Sequence, residues 1–187
     1  MGRWQPNSRG RLEQAALELY VERGFAQTTV TEIARQAGLT ERTFFRYFAD
    51  KREVLFSGSA QLQEVLVSAV AGAPEQAAPI DAVAAGLDAI GGVLRDLPRS
   101  RRRQSVISAN PELQERELAK LATLSTAVAD TLRGRGVQEP AATLAADAGI
   151  AVFRVSFERW IDGPEDGELR RFLKESLAEL KAVTSAS

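Results

Sequence analysis

Residues 24–56, GFAQTTVTEIARQAGLTERTFFRYFADKREVLF, constrain this chain more than any other stretch, because three helix starts and a helix stop fall close together. Thr29 stands three residues before Glu32, the spacing at which hydroxyl and carboxylate each satisfy an orphan backbone donor of a helix N-terminus. Val30, Ile33, Ala34 and Ala37 give that helix one apolar face. Gly38 stops it by supplying the left-handed backbone that helix C-termini favour. Thr40 caps the next helix, residues 41–48, on which Phe44 and Phe48 point inward while Arg42 and Arg46, also four apart, point outward. Asp50 and Glu53 repeat the capping spacing. Lys51 then falls in a first helical turn, where the macrodipole disfavours a cation and an approaching anion would explain it.

Two short helices, a tight turn and an immediate third start form the layout of a DNA-binding helix-turn-helix. Residues 10–56 resemble the N-terminal domain of the TetR family of transcriptional regulators. The likeness runs through an aliphatic helix, Gly-Phe, Thr-Thr-Val, Ile-Ala, Ala-Gly-Leu, an aromatic pair, Tyr-Phe, acidic-Lys and Leu-Phe, in that order. It implies an all-α protein with a helix-turn-helix DNA-binding domain over residues 1–56 and a helical ligand-binding and dimerisation domain over 57–187.

Alone, an i, i+4 pair of arginines is a solvated helix face. Within this turn it points to DNA, where a guanidinium grips guanine O6 and N7 with two hydrogen bonds. Glu41 either accepts from a cytosine amine or simply favours the helix N-terminus. Thr40 and Thr43 are candidate phosphate or base contacts, and Phe45, where the family often has tyrosine, offers apolar contact such as with a thymine methyl. The resemblance assigns Tyr47 and Lys51 to phosphate. Thr28 is a further phosphate candidate, and the arm bearing Arg3, Trp4, Arg9 and Arg11 is either a groove contact or disordered.

Composition narrows the chemistry. The 187 residues are 44% hydrophobic, enough for a core, and contain neither cysteine nor histidine. This removes disulfides, thiolate metal sites, the commonest general base and the commonest metal ligand. No cofactor is expected. No stretch approaches the ~18 uninterrupted apolar residues of a membrane span, so a cytoplasmic protein without membrane contact is the expectation. Net charge is −1, divided as +2 over residues 1–57 and −3 over the remainder, which suits a module that touches DNA with one end.

The rest reads as helix after helix, about nine in all. Apolar residues recur at three and four over 11–23, and a helix of some twenty residues from Lys51 to about residue 73 would form a lever between the domains. Further helices are expected over 80–97, 112–132, 141–161 and 168 to about 183. The segment 141–161 is apolar over much of its circumference and needs a second partner, whereas the last is amphipathic. In TetR-like proteins the corresponding helices pair with their mates, which implies a homodimer interface including Ala148, Val152, Leu173, Leu177 and Leu180.

The basic run 99–103 is either a solvated connection or a phosphate-binding rim. Residues 101–121 loosely resemble the TetR subgroup with acyl-CoA-like ligands, so a small hydrophobic effector would meet Arg103, Ile107, Asn110 and Leu121, with Phe153, Phe157 and Trp160 from one face of a later helix. That aromatic stripe is otherwise core. Arg154 and Glu158, four apart, are expected to pair. The reading that unites these features is a repressor released from a palindromic double-stranded DNA operator by its effector. An activator or architectural DNA-binding protein without a ligand, and a helical enzyme or carrier, are the alternatives.

Overall fold

The computed structural model describes residues 7–185, and among these there are nine α-helices and no strand. They are α1 Ser8–Arg23, α2 Val30–Gln36, α3 Glu41–Tyr47, α4 Ser59–Ala71, α5 Pro79–Val93, α6 Leu97–Ser108, α7 Pro111–Gly134, α8 Ala141–Asp162 and α9 Leu169–Ser185. Two compact units emerge. Of the described residues, the first comprises 7–58 and 99–117, the second 59–98 and 118–185.

Local signals start and stop the first helices. Asn7 caps α1 by accepting from the Gly10 N–H. Gly24, at φ +87°, ends α1 with its N–H on the Tyr20 carbonyl. The core of this unit gathers Leu12, Ala16, Leu19, Phe25, Ile33, Phe44 and Phe48 with Val54, Leu55 and Phe56. Val106, Ile107 and Leu113 complete it, which is why 99–117 belong to this unit and a single cut after residue 56 does not separate the two bodies.

The expected helix from Lys51 to residue 73 is two pieces. The Asp50 carboxylate accepts from the N–H groups of Arg52 and Glu53, and a 3-10 turn, Glu53–Phe56, follows. Val54, Leu55 and Phe56 are all buried, and the carbonyls of Leu55 and Ser57 accept from the Arg103 and Arg9 guanidiniums. Those three consecutive apolar residues and distant arginine donors favour a turn. Helix α4 then begins afresh at Ser59. Glu53–Ala71 is the one stretch, among the described residues, apolar and long enough in sequence to qualify as a membrane span. Its break leaves α4 only about 20 Å long, short of the ~30 Å hydrocarbon layer.

The second unit is built by apolar packing. Leu66 and Val70 of α4, Val83, Leu87 and Ile90 of α5, Val128 and Leu132 of α7, Phe153 and Trp160 of α8, and Phe172 and Leu173 of α9 share one core. Close approach between helices depends on glycine, as two positions show. A Cβ on Gly149 would lie 2.3 Å from Val83 Cγ1, and one on Gly91 would lie 3.0 Å from the Arg170 Cα. Two polar groups in this core are satisfied by backbone: Trp160 Nε1 donates to the Gly167 carbonyl at 2.7 Å, and the Ser156 hydroxyl to the Phe172 carbonyl at 3.1 Å.

Candidate nucleic-acid interface

Helix α2 has a complete capping box. The Thr29 hydroxyl accepts from the Glu32 N–H, and the Glu32 carboxylate accepts from the Thr29 N–H at 2.9 Å. These bonds, the backbone one foremost, hold the Glu32 carboxyl below the usual carboxylate range. The α2 C-terminus is finished by Gly38, at φ +63°, and by Arg11, whose guanidinium donates to the Ala37 carbonyl. A side chain on Gly38 would be strained by its backbone and would strike that guanidinium. Thr40 then caps α3 by accepting from the Thr43 N–H, and its hydroxyl lies 3.0 Å from that of Thr43.

Helix α3 buries Phe44 and rests Phe48, just past its end, in the same core, with the two rings 5.3 Å apart. The opposite face carries Glu41, Arg42, Phe45, Arg46 and Tyr47 exposed to solvent. Phe45 is 54% exposed, and its ring stands edge-on to Phe44 at 5.4 Å, so its direction is set from beneath. Arg46 lies 4.9 Å over the Tyr47 ring and donates to its hydroxyl at 3.1 Å. Arg42 has no hydrogen-bond or ion-pair partner among the described residues and projects its fork of donors into solvent. Glu41 accepts from the Thr31 hydroxyl of α2 at 2.6 Å. Sequence reading missed Thr31, since a hydroxyl ten residues from a carboxylate has no recognisable pattern.

Other expected contacts are committed elsewhere. The Lys51 ammonium donates to the carbonyls of Phe25, Ala26 and Thr28 at 2.8, 3.3 and 3.0 Å, and sits 4.4 Å from the Phe25 ring centroid. The partial negative charge it answers is that of backbone carbonyls, and all three ammonium protons are engaged within the chain. Thr28 is buried, and its hydroxyl donates to the Gly24 carbonyl at 2.9 Å with the Leu19 carbonyl 3.4 Å away, so that its proton is engaged within the chain. Arg9 binds Glu13 and the Ser57 carbonyl. Arg3 and Trp4 lie outside the described residues. Tyr20 donates to the Lys51 carbonyl at 2.6 Å, and burial pushes its hydroxyl pKa up.

The effector candidates divide between the units. Arg103 lies in the first unit, stacked 5.1 Å from the Phe56 ring centroid, with Nε on the Leu55 carbonyl at 2.7 Å and Nη1 on Glu117 at 3.1 Å. It is a tie within that unit and not an open rim. Ile107 is fully buried there, and Asn110 donates its amide to the Val106 carbonyl. Leu121, Phe153, Phe157 and Trp160 belong to the second unit, where the three aromatic rings follow one another at 5.8 and 5.7 Å.

Of the dimer candidates, Val152 and Leu173 are buried in the chain's own core, while Ala148, Leu177 and Leu180 are half-buried. The outward apolar stripe of α8 is Leu144, Ala148, Ala151 and Val155. Arg154 and Glu158 form no pair among the described residues; Arg159 binds Glu175 instead, at 2.8 Å.

A capped helix pair with a left-handed glycine in its turn, presenting arginines and aromatics from the second helix, defines a helix-turn-helix DNA-binding protein. Residues 13–57 match the family model described as bacterial regulatory proteins, tetR family, and residues 77–185 match the MftR C-terminal domain. The chain belongs to the TetR family of transcriptional regulators. It is 35% identical over 89 residues to the HTH-type transcriptional regulator TcmR of Streptomyces glaucescens, covering 48% of this chain and 39% of that protein. It is 33% identical over 119 residues to MftR of Mycobacterium tuberculosis, covering 61% and 58%. The chain thus spans less than two thirds of either relative. Among solved structures, the SmeT–triclosan complex superposes with TM-score 0.66 at 19% identity over 94% of this chain and 90% of that one, a likeness of fold. Thermus thermophilus FadR with lauroyl-CoA gives TM-score 0.55 at 27% identity over 92% of each chain.

Proposed function

We propose that this chain is a homodimeric repressor that places α3 in the major groove of a roughly palindromic operator and is released by a small, largely apolar effector of the acyl-CoA class. The exposed face of α3 carries the reading: Arg42 is unpartnered and Phe45, though it touches Phe44 edge-on, leaves more than half of its surface in water. Arg42 is the base reader, Phe45 meets a thymine methyl, and Arg46 with Tyr47 forms a phosphate clamp, as do Thr40 and Thr43 at the helix start. Lys51 and Thr28 act as internal ties. Dimerisation through α8 and α9 is supported by the stripe Leu144, Ala148, Ala151 and Val155, in which Leu144 is 64% exposed. The effector class is supported by the likeness to the lauroyl-CoA-bound FadR. Its pocket would draw on Leu121, Phe153 and Phe157 in the second unit. Such a protein acts in the cytoplasm, beside its DNA.

Selection from a randomised duplex library by the wild-type chain tests the DNA half. Arg42→Ala should weaken binding to the enriched duplex by ~1–3 kcal/mol and flatten preference at one base position. Equal losses on enriched and random duplexes would remove base readout. Titration of lauroyl-CoA with and without that duplex tests the effector: a ~100-fold loss of DNA affinity requires a coupling of about 2.7 kcal/mol and an equal loss of ligand affinity on DNA.

A further inference from the structure

Building on the reading of α3 as the base-reading helix, we propose that Thr31 and Glu41 form one cytosine-reading unit. Glu41 accepts from the N4 amine of a cytosine in the major groove, and Thr31 is the residue that positions its carboxylate.

The observation behind this is the 2.6 Å hydrogen bond from the Thr31 hydroxyl to Glu41 Oε1, made across the turn between two exposed residues of different helices. A favourable helix dipole accounts for an acid in the first turn of α3. It does not account for a second helix reaching over to hold that acid, because the N-terminus of α3 is already capped by Thr40. Nor does a bare carboxylate suit a surface that must approach phosphates, unless a base donor offsets the repulsion. Held through Oε1, the side chain surrenders rotamer freedom before DNA arrives and keeps Oε2 as a directed acceptor.

The chemistry selects the base. An ionised carboxylate only accepts, so it is repelled by guanine O6 and N7 and by thymine O4. Adenine offers an amine, but beside the N7 acceptor that an approaching carboxylate also meets. Cytosine presents its N4 amine without an adjacent major-groove acceptor of its own. Arg42, next in sequence with a free guanidinium, supplies the complementary donor for guanine. The first turn of α3 therefore carries one acceptor and one forked donor side by side, and reads a G·C-containing step.

The full-length chain should be used to enrich duplexes from a randomised library, in parallel with Glu41→Gln, Thr31→Val and Thr31→Ser. The wild type should prefer cytosine roughly tenfold at one position in each half-site. Glu41→Gln should move that preference to adenine, whose N6 and N7 match an amide. Thr31→Val, which keeps the shape and removes the hydroxyl, should flatten the preference at this position alone, and Thr31→Ser should restore it. If Glu41→Gln and Thr31→Val enrich the wild-type sequence with unchanged preference at every base, the pair is a strut between helices and the proposal falls while the regulator reading stands. If the wild type enriches no sequence, the regulator reading falls and the proposal with it.

Discussion

The two units are held by different means, and the difference explains what each can tolerate. In the first, cationic and hydroxyl groups reach across long stretches of chain to cap backbone carbonyls: Lys51 to Phe25, Ala26 and Thr28, Arg11 to Ala37, Arg103 to Leu55, and Tyr20 to Lys51. Short helices leave many carbonyls without an intrahelical partner, and a unit whose α2 and α3 have seven residues each needs such donors. In the second, longer helices satisfy most of their own backbone and meet mainly through leucine, valine, aromatic and glycine contacts, with long-range caps confined to helix ends, as where Arg135 donates to the Ala71, Ala73 and Pro74 carbonyls. Its ion pairs, such as Lys181–Asp81 and Arg159–Glu175, lie at half-exposed positions where each is worth little.

Removing the largest core side chain should break this contrast most severely on the apolar side. Trp160 is 1% exposed and its indole N–H is bonded, so Trp160→Ala should cost ~3–5 kcal/mol. Peptide-resolved hydrogen exchange should show most of the lost protection within residues 59–98 and 118–185.

Lys51→Met tests the polar side. It removes three hydrogen bonds to carbonyls and a cation–π contact while keeping the aliphatic stem, and should cost ~2–4 kcal/mol, because carbonyls near the surface regain water in part. Lost protection should centre on the α1–α2 connection. Were Lys51 instead a phosphate contact, the variant would keep full stability and show a salt dependence of DNA binding shallower by about one unit.

The same contrast governs how much of the molecule was legible. Helix identity, the α2 capping box and the Gly38 stop were legible because each is written within four residues of itself. The fate of Lys51 was not: its position in the sequence matches a family phosphate contact, but its partners lie 23 to 26 residues earlier, in a connection. The partners of Arg103 are hidden for the same reason, since a basic run looks alike whether it faces a ligand or caps a carbonyl 48 residues away. The break between Phe56 and Ser59 escaped because Leu62, Val65 and Leu66 continue a helical period across it. The burial of Val152 and Leu173 is not legible either, because a pattern of apolar residues does not say which of two apolar faces a chain covers with itself.

A smaller effect should follow where helices touch without side chains between them. Gly91→Ala would place a methyl 3.0 Å from the Arg170 Cα, and backbone gives way less readily than a side-chain tip. Overpacking of ~1–3 kcal/mol, offset by up to about 1 kcal/mol of improved helix propensity, leaves a net loss near 1 kcal/mol. A stabilised variant in thermal melting would show that α5 and α9 can separate at little cost.

The smallest effect concerns the cap of α2, and it carries a sign in pH. Thr29→Ala should cost ~1 kcal/mol by removing the hydroxyl that accepts from the Glu32 N–H. The Glu32 carboxyl is held below its ordinary pKa by the Thr29 N–H and hydroxyl, so its contribution is complete above the unfolded value of ~4.3 and is lost as pH falls through the lower folded value. The Asp50 carboxyl, depressed chiefly by its hydrogen bond from Arg52, acts in the same direction in the same unit. Wild type and Glu32→Gln should therefore differ in stability at neutral pH and converge on acidification below ~4.3. Denaturant unfolding at a series of pH values measures the gap. A gap that stays constant down to pH ~3 would mean that the ionised carboxylate contributes nothing to the cap, and that the polar bonding which distinguishes the first unit is, at this helix, a matter of shape alone.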